Sequence, residues 1–209
     1  MKRIKRWKEE LKNNKLSVLI SFIFLITSLI LNYVAGSYVD TTNVVIAQDL
    51  ILDHIPTINL SFLYSYGYAF VILVLFLHPL IVHVRELHIV ISQFSLLLLI
   101  RSFFMVLTHL GMPTNAIPLN LPVNHLPLAF NNDFFFSGHT AFSFLGFLLF
   151  RKEKIGTFFL ISTIIMALTV LFMHYHYSID VFAAFFITYG SYKLSNWFFS
   201  KVSKVKISL

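Results

Sequence analysis

Six apolar stretches organise the chain, at residues 16–36, 59–82, 88–110, 134–150, 155–173 and 177–199. A helical membrane span needs roughly 20 mostly apolar residues, and these runs are of that order. The fourth is the shortest and opens in polar residues. The pattern predicts an all-α, polytopic membrane protein built as a six-transmembrane-helix bundle. It divides the chain into a basic segment 1–15, a six-span membrane domain 16–199 and a basic tail 200–209. Within residues 1–15, Ile4, Trp7 and Leu11 recur at helical spacing. That segment reads either as an amphipathic helix lying on an anionic leaflet or as a solvated charge run that sets topology.

Composition removes the alternatives. Hydrophobic residues make up 57% of 209 and charged residues 12%, about half the charged share of a typical soluble domain. A soluble fold of this size could not cover so much apolar surface, and a disordered chain would need far less of it. Cysteine is absent, which excludes disulfides and thiolate metal sites.

The net charge of +7 carries orientation rather than affinity for nucleic acid. Lys2, Arg3, Lys5, Arg6, Lys8, Lys12 and Lys15 precede the first span. Arg85 lies between the second and third, and Arg151, Lys152 and Lys154 between the fourth and fifth. Lys193, Lys201, Lys204 and Lys206 close the chain. In a six-span arrangement all of these fall on one side. The opposite loops, 37–58, 111–133 and 174–176, contain no Lys or Arg. The positive-inside rule then predicts that both termini are cytoplasmic. Arg101, inside the third span, is the exception.

The Lys/Arg-free side is rich in other polar chemistry. It holds His54, His109, His125, His139, His174 and His176, together with Asp40, Asp49, Asp53, Asp133 and Asp180. Ionisable groups near hydrocarbon are costly and mark functional sites. Two local patterns stand out. Asp133-Phe134-Phe135-Phe136-Ser137-Gly138-His139-Thr140 opens the fourth span, and His174-Tyr175-His176-Tyr177-Ser178-Ile179-Asp180-Val181 opens the sixth. His176 and Asp180 are four residues apart, hence on one helical face. A carboxylate there can accept the His Nδ1–H and leave Nε2 as nucleophile or base. His139 falls at the same predicted depth, and Gly138 allows close approach to a ligand beside helix-start amides that favour an anion.

The Asp133 and Ser137-Gly138-His139-Thr140 segment resembles the third signature of the sphingomyelin synthases. His176-Tyr177-Ser178-Ile179-Asp180-Val181 resembles their fourth. Residues 101–110, with Met105 and Thr108, are similar to their second. The wider relatives are the type 2 phosphatidic acid phosphatases, which share the Ser-Gly-His and His-x-x-x-Asp elements. The resemblance covers roughly residues 95–190. It implies a six-helix bundle with cytoplasmic termini, His176 as nucleophile, Asp180 as its partner and His139 as acid/base. Several features depart from it, among them a short loop between the third and fourth spans. No Lys-x6-Arg-Pro motif is present, Thr169-Val170 stands where the phosphatases carry Ser-Arg, and Asn131-Asn132 replaces a Cys-Gly pair.

Charge counting bears on substrate. A phosphomonoester carries about −1.5 to −2 at neutral pH and favours several basic ligands. Here only Arg101 is at hand, which suits a singly charged phosphodiester. The surplus of Asp, with Tyr64, Tyr66 and Tyr68, suits a cationic head group, although these tyrosines equally fit an interfacial belt. The expected function is transfer of phosphocholine or phosphoethanolamine from a glycerophospholipid to a lipid hydroxyl such as ceramide or diacylglycerol, through a phosphohistidine. Arg101, Asp133, Ser137, Gly138, His174 and Tyr177 are the expected substrate-binding residues, with no cofactor, no metal and membrane lipids as partners. The site is expected on the extracytoplasmic side, of a bacterial inner membrane or of a Golgi or plasma membrane. Residues 111–132 form either a lid over it or a plain connection. Three alternatives compete: a lipid phosphatase or phospholipase C-like hydrolase using water, a zinc hydrolase with His139, His174 and His176 as ligands, and a non-enzymatic lipid transporter.

Overall fold

The computed structural model describes residues 2–119 and 134–202. Every regular element among them is helical. In chain order these are α1 (Lys2–Asn13), α2 (Lys15–Asp40), α3 (Tyr68–Val82), α4 (Leu87–Leu107), α5 (Gly138–Phe150), α6 (Lys154–Phe172) and α7 (Ser178–Val202). A π-helical turn, Leu63–Gly67, leads into α3, and a 3-10 turn, Val84–Glu86, leads into α4. The sole bridge of β type among the described residues is an isolated parallel contact between Val45 and Leu110.

Four segments are long and apolar enough to cross a bilayer: Lys15–Asp40, Leu63–Val82, Val84–Leu107 and Lys154–Phe172. α5 has 13 residues, a rise of about 20 Å against a hydrocarbon core of about 30 Å. The apolar run that begins at Phe134 does not become helical until Gly138. Ser137 explains the difference. It caps α5, and its hydroxyl accepts the Thr140 N–H at 3.4 Å. The helix starts where a cap satisfies its first amides, not where hydropathy rises.

Side chains that face outward are apolar. Leu19, Ile23, Ile26 and Ile30 on α2, Ile161, Ile164 and Leu168 on α6, and Phe182, Phe186 and Trp197 on α7 are all exposed. Water would penalise such a surface and lipid does not, so this is the exterior of a membrane protein. The interior has two main cores. One joins Leu97 and Leu98 of α4 to Ala141, Phe142, Leu145 and Leu148 of α5 and to Ala184 and Tyr192 of α7. The other joins Val71, Leu75, Val90, Phe150 and Phe159. Gly146 lets α5 lie against α6, because a Cβ there would overlap the Phe159 ring.

The two ends of the bundle differ in chemistry. At one end Trp7 donates its indole N–H to the Leu80 carbonyl at 2.7 Å, and Glu153 accepts contacts from His78 at 3.4 Å and His83 at 3.5 Å. At the other end three connections are stitched together. Val45 N–H donates to His109 O, Gly111 N–H to Val45 O, Ile58 N–H to Phe172 O, and Ile117 N–H to Met173 O. Of the selected His and Asp residues, His109, His139, His174, His176, Asp49 and Asp180 are bound into this second end.

Candidate active site

His176 lies on the short link between α6 and α7, just before the first turn of α7. Its Nδ1 is 2.8 Å from the carbonyl oxygen of Phe134 and 3.4 Å from Oδ2 of Asp180. A carbonyl oxygen only accepts, so Nδ1 carries the proton and Nε2 carries the lone pair. The four-residue spacing brings Asp180 to His176 as expected, but the closer acceptor is a backbone group from the segment before α5. Asp180 Oδ2 also accepts the Tyr177 N–H at 3.0 Å. The carboxylate therefore fixes the backbone next to His176 as well as its ring. Both side chains are buried.

His139 stands one residue into α5. Its Nε2 is 3.1 Å from the carbonyl oxygen of Tyr64, so Nε2 carries the proton and Nδ1 is the basic nitrogen. The Tyr64 and Tyr68 rings lie against the imidazole, with centroids at 4.0 and 4.1 Å. The π-helical turn sets this arrangement, since Tyr68 N–H donates to Leu63 O, five residues back. Such turns within α-helices are frequent at functional sites. Tyr66 instead faces outward and packs on Phe62. The three tyrosines thus do not share one face, and two of them support His139.

Arg101 is buried in α4 and donates its Nε–H to Phe136 O at 3.0 Å. A Cβ on Gly138 would sit 3.2 Å from that Nε, so the missing side chain is what lets the guanidinium lie against the start of α5. Arg101 is within electrostatic reach of both His139 and Asp180, and His176 is within reach of His139. Two imidazoles, one carboxylate and one guanidinium therefore share a single locale.

The remaining selected residues fall into different places. Ser137 is fully buried as the α5 cap, and its N–H donates to Asp180 O at 3.3 Å. Tyr177 is a tie between loops: its hydroxyl donates to Gly111 O at 3.0 Å and accepts Ala47 N–H at 3.1 Å. His174 adopts φ 54°, a left-handed conformation uncommon outside glycine, and its Nδ1 is 3.3 Å from Thr114 O. Asp133 and His125 lie outside the described residues, as does the 120–132 part of the suggested lid. Residues 111–119 are held down by Tyr177, Met173 and His174 through the bonds given above. Among the described residues no three His, Cys, Asp or Glu side chains are grouped as metal ligands.

The sequence names Asp49 only as one of the outer-side carboxylates and gives it no role. It is buried in the connection after α2. One carboxylate oxygen accepts Ile51 N–H and Leu52 N–H at 2.9 and 3.1 Å, and the other accepts Ser178 N–H at 2.6 Å. Burial alone would raise its pKa. The bonds from Ser178, Leu52 and Ile51 together outweigh burial and hold the carboxyl below the usual carboxylate range. Tyr175, beside the Tyr64 ring at 4.8 Å, has its phenol pushed up by burial, with the Leu119 backbone acting the other way. It stays protonated at neutral pH.

Residues 132–197, which carry His139, His176 and Asp180, match the family described as PAP2 superfamily C-terminal. The chain is similar to Sphingomyelin synthase-related 1 of Caenorhabditis elegans, at 27% identity over 197 residues, covering 80% of this chain and 41% of that protein. The chain thus spans about two fifths of the length of this curated relative. No solved structure matches. Both comparisons bear out the resemblance carried by the Ser-Gly-His and His-x-x-x-Asp motifs: residues 132–197 are similar to the PAP2 superfamily, and the chain is similar to a sphingomyelin synthase-related protein.

Proposed function

We propose that the chain is a six-span membrane enzyme with cytoplasmic termini that transfers a phospho-head group between lipids on the extracytoplasmic side. The observation that carries this reading is the state of His176. Its Nδ1–H is held by the Phe134 carbonyl beside Asp180, which leaves Nε2 with the lone pair a nucleophile needs. In the first step Nε2 attacks the phosphorus of a glycerophospholipid. The bond from phosphorus to the diacylglycerol oxygen breaks, and His139, entering this step as the imidazolium, gives its Nδ1 proton to that oxygen and is left neutral. The product is a phosphohistidine bearing the head group, with Asp180 facing the imidazolium. In the second step a lipid hydroxyl gives its proton to Nδ1 of His139 and its oxygen attacks phosphorus, breaking the N–P bond. Arg101 and the α5 start stabilise the charge that develops on the phosphoryl oxygens.

Arg101, the one buried guanidinium among the described residues, supports a phosphodiester, with one negative charge, over a phosphomonoester. Ceramide and diacylglycerol are the acceptors this chemistry suits, with phosphocholine or phosphoethanolamine as the group moved. A second reading, hydrolysis with water as acceptor, is favoured by the match to a superfamily named for phosphatases. One experiment separates them. Purified protein is given phosphatidylcholine or phosphatidylethanolamine with ceramide, with diacylglycerol or with no lipid acceptor, and the products are weighed by mass spectrometry. Transfer yields a new phospholipid only when an acceptor is added. Hydrolysis yields free phosphocholine or phosphoethanolamine without one.

A further inference from the structure

His176 sits on a linker, not inside a helix, so its position depends on Asp180 within α7 and on how the start of α7 is itself held. In the link from Met173 to Tyr177, the Met173, His174 and Tyr175 amides bond back to α6, His174 turns the chain at φ 54°, and the part that carries His176 and Tyr177 has no such backbone tie to α6 among the described residues. Its external ties come from other connections. Ala47 N–H reaches the Tyr177 hydroxyl at 3.1 Å, and Asp49 Oδ2 accepts Ser178 N–H at 2.6 Å. Ser178 is the first residue of α7, two positions after His176 and two before Asp180.

We propose that Asp49, on the α2–α3 connection, is a positioning residue for His176: its buried carboxylate pins the first turn of α7 and so holds the imidazole against the Phe134 carbonyl. The inference rests on the phosphotransfer reading above and adds to it a part supplied by a segment 129 residues away. Asp49 is suited to this task. It is 8% exposed. Its Oδ1 is engaged by Ile51 and Leu52, which fixes the carboxylate plane and aims Oδ2 at α7. A carboxylate on the amide end of a helix is favoured by both hydrogen bonding and the helix dipole. The α7 start is thereby taken up by two carboxylates, Asp180 on Tyr177 N–H and Asp49 on Ser178 N–H. Phosphate recognition is left to Arg101 and the α5 start. Release of the tie would let His176 drift, and a displacement of about 1 Å costs on the order of 10²-fold in rate.

The test uses the full chain in detergent with the phosphatidylcholine and phosphatidylethanolamine assays above. Four variants are compared: Asp49→Ala, Ser178→Pro, their double and His176→Ala. Proline is tolerated at the first helical position, so Ser178→Pro removes the donor while keeping the helix. Asp49→Ala is expected to lower kcat about 10²-fold with little change in KM. Ser178→Pro is expected to do the same, and the double variant to lose no more than either alone, since both remove one link. Amide exchange across residues 176–182 is expected to speed up in Asp49→Ala, a readout that needs no substrate. Unchanged kcat and exchange in Asp49→Ala, losses that multiply in the double, or a loss confined to KM would each overturn the positioning role. If His176→Ala is inactive while Asp49→Ala is fully active, this inference alone fails. If His176→Ala still turns over, the phosphotransfer reading itself fails.

Discussion

His176 donates its Nδ1–H to the carbonyl oxygen of Phe134 at 2.8 Å, across 42 residues of sequence. This bond joins the start of α7 to the segment that enters α5, and so couples the elements that carry His176 and His139. It also splits the support of His176 between two acceptors. The carbonyl sets the tautomer, and the Asp180 carboxylate at 3.4 Å supplies negative charge.

That division predicts the behaviour of Asp180→Asn. The Phe134 carbonyl continues to hold the proton on Nδ1, so the tautomer survives. What is lost is compensation of the imidazolium as the N–P bond forms. Transfer should fall by about 10² to 10⁴-fold, the range for a group that acts on proton and charge in the transition state. The Nδ1–H resonance of His176 should persist in a proton NMR spectrum. Loss of that resonance would show that Asp180, not Phe134, sets the tautomer.

Gly138→Ala separates function from stability. Alanine in place of glycine favours a helix by roughly 0.5–1 kcal/mol. The new Cβ, however, would stand 3.2 Å from Arg101 Nε and push on the guanidinium. The variant should be as thermostable as the parent, or more so, while its KM for phospholipid rises. Thermal unfolding and lipid titration on one preparation check both halves.

Much of this site was open to reading in the chain itself. The four-residue spacing of His176 and Asp180, the Ser137-Gly138-His139 run and the single intramembrane Arg101 are local signals, and the structure brings all of them to one end of the bundle. Other parts were not legible. The Phe134 carbonyl has no side-chain signature, so no residue type announces it. Tyr64 meets His139 over 75 residues and Asp49 meets Ser178 over 129. Contacts of that range depend on which loops meet at the bundle end, which helical periodicity does not encode. The misplaced start of the fourth apolar run has a different cause. Ser137 before Gly138 is a readable N-cap, but hydropathy weighs the three phenylalanines before it more heavily than one serine.

Asp49 predicts an acid limit. Its folded pKa lies below the ordinary carboxylate value of about 3.9. The stability it contributes is therefore complete above the unfolded value and is lost as pH falls through the folded one. The melting temperature of the parent should exceed that of Asp49→Asn at pH 5 to 8 by a constant margin. The gap should close as pH drops below about 4. A gap that widens on acidification would contradict the assignment of the charged form.

The central claim is a covalent bond between phosphorus and Nε2 of His176. Rapid quench of the enzyme with phosphatidylcholine or phosphatidylethanolamine, followed by peptide mass spectrometry under alkaline conditions, tests it directly. The account predicts the mass of the phospho-head group on the peptide containing His176, lost on acidification and absent from His176→Ala. Steady product formation with an unmodified His176, or with the label on another residue, would contradict it.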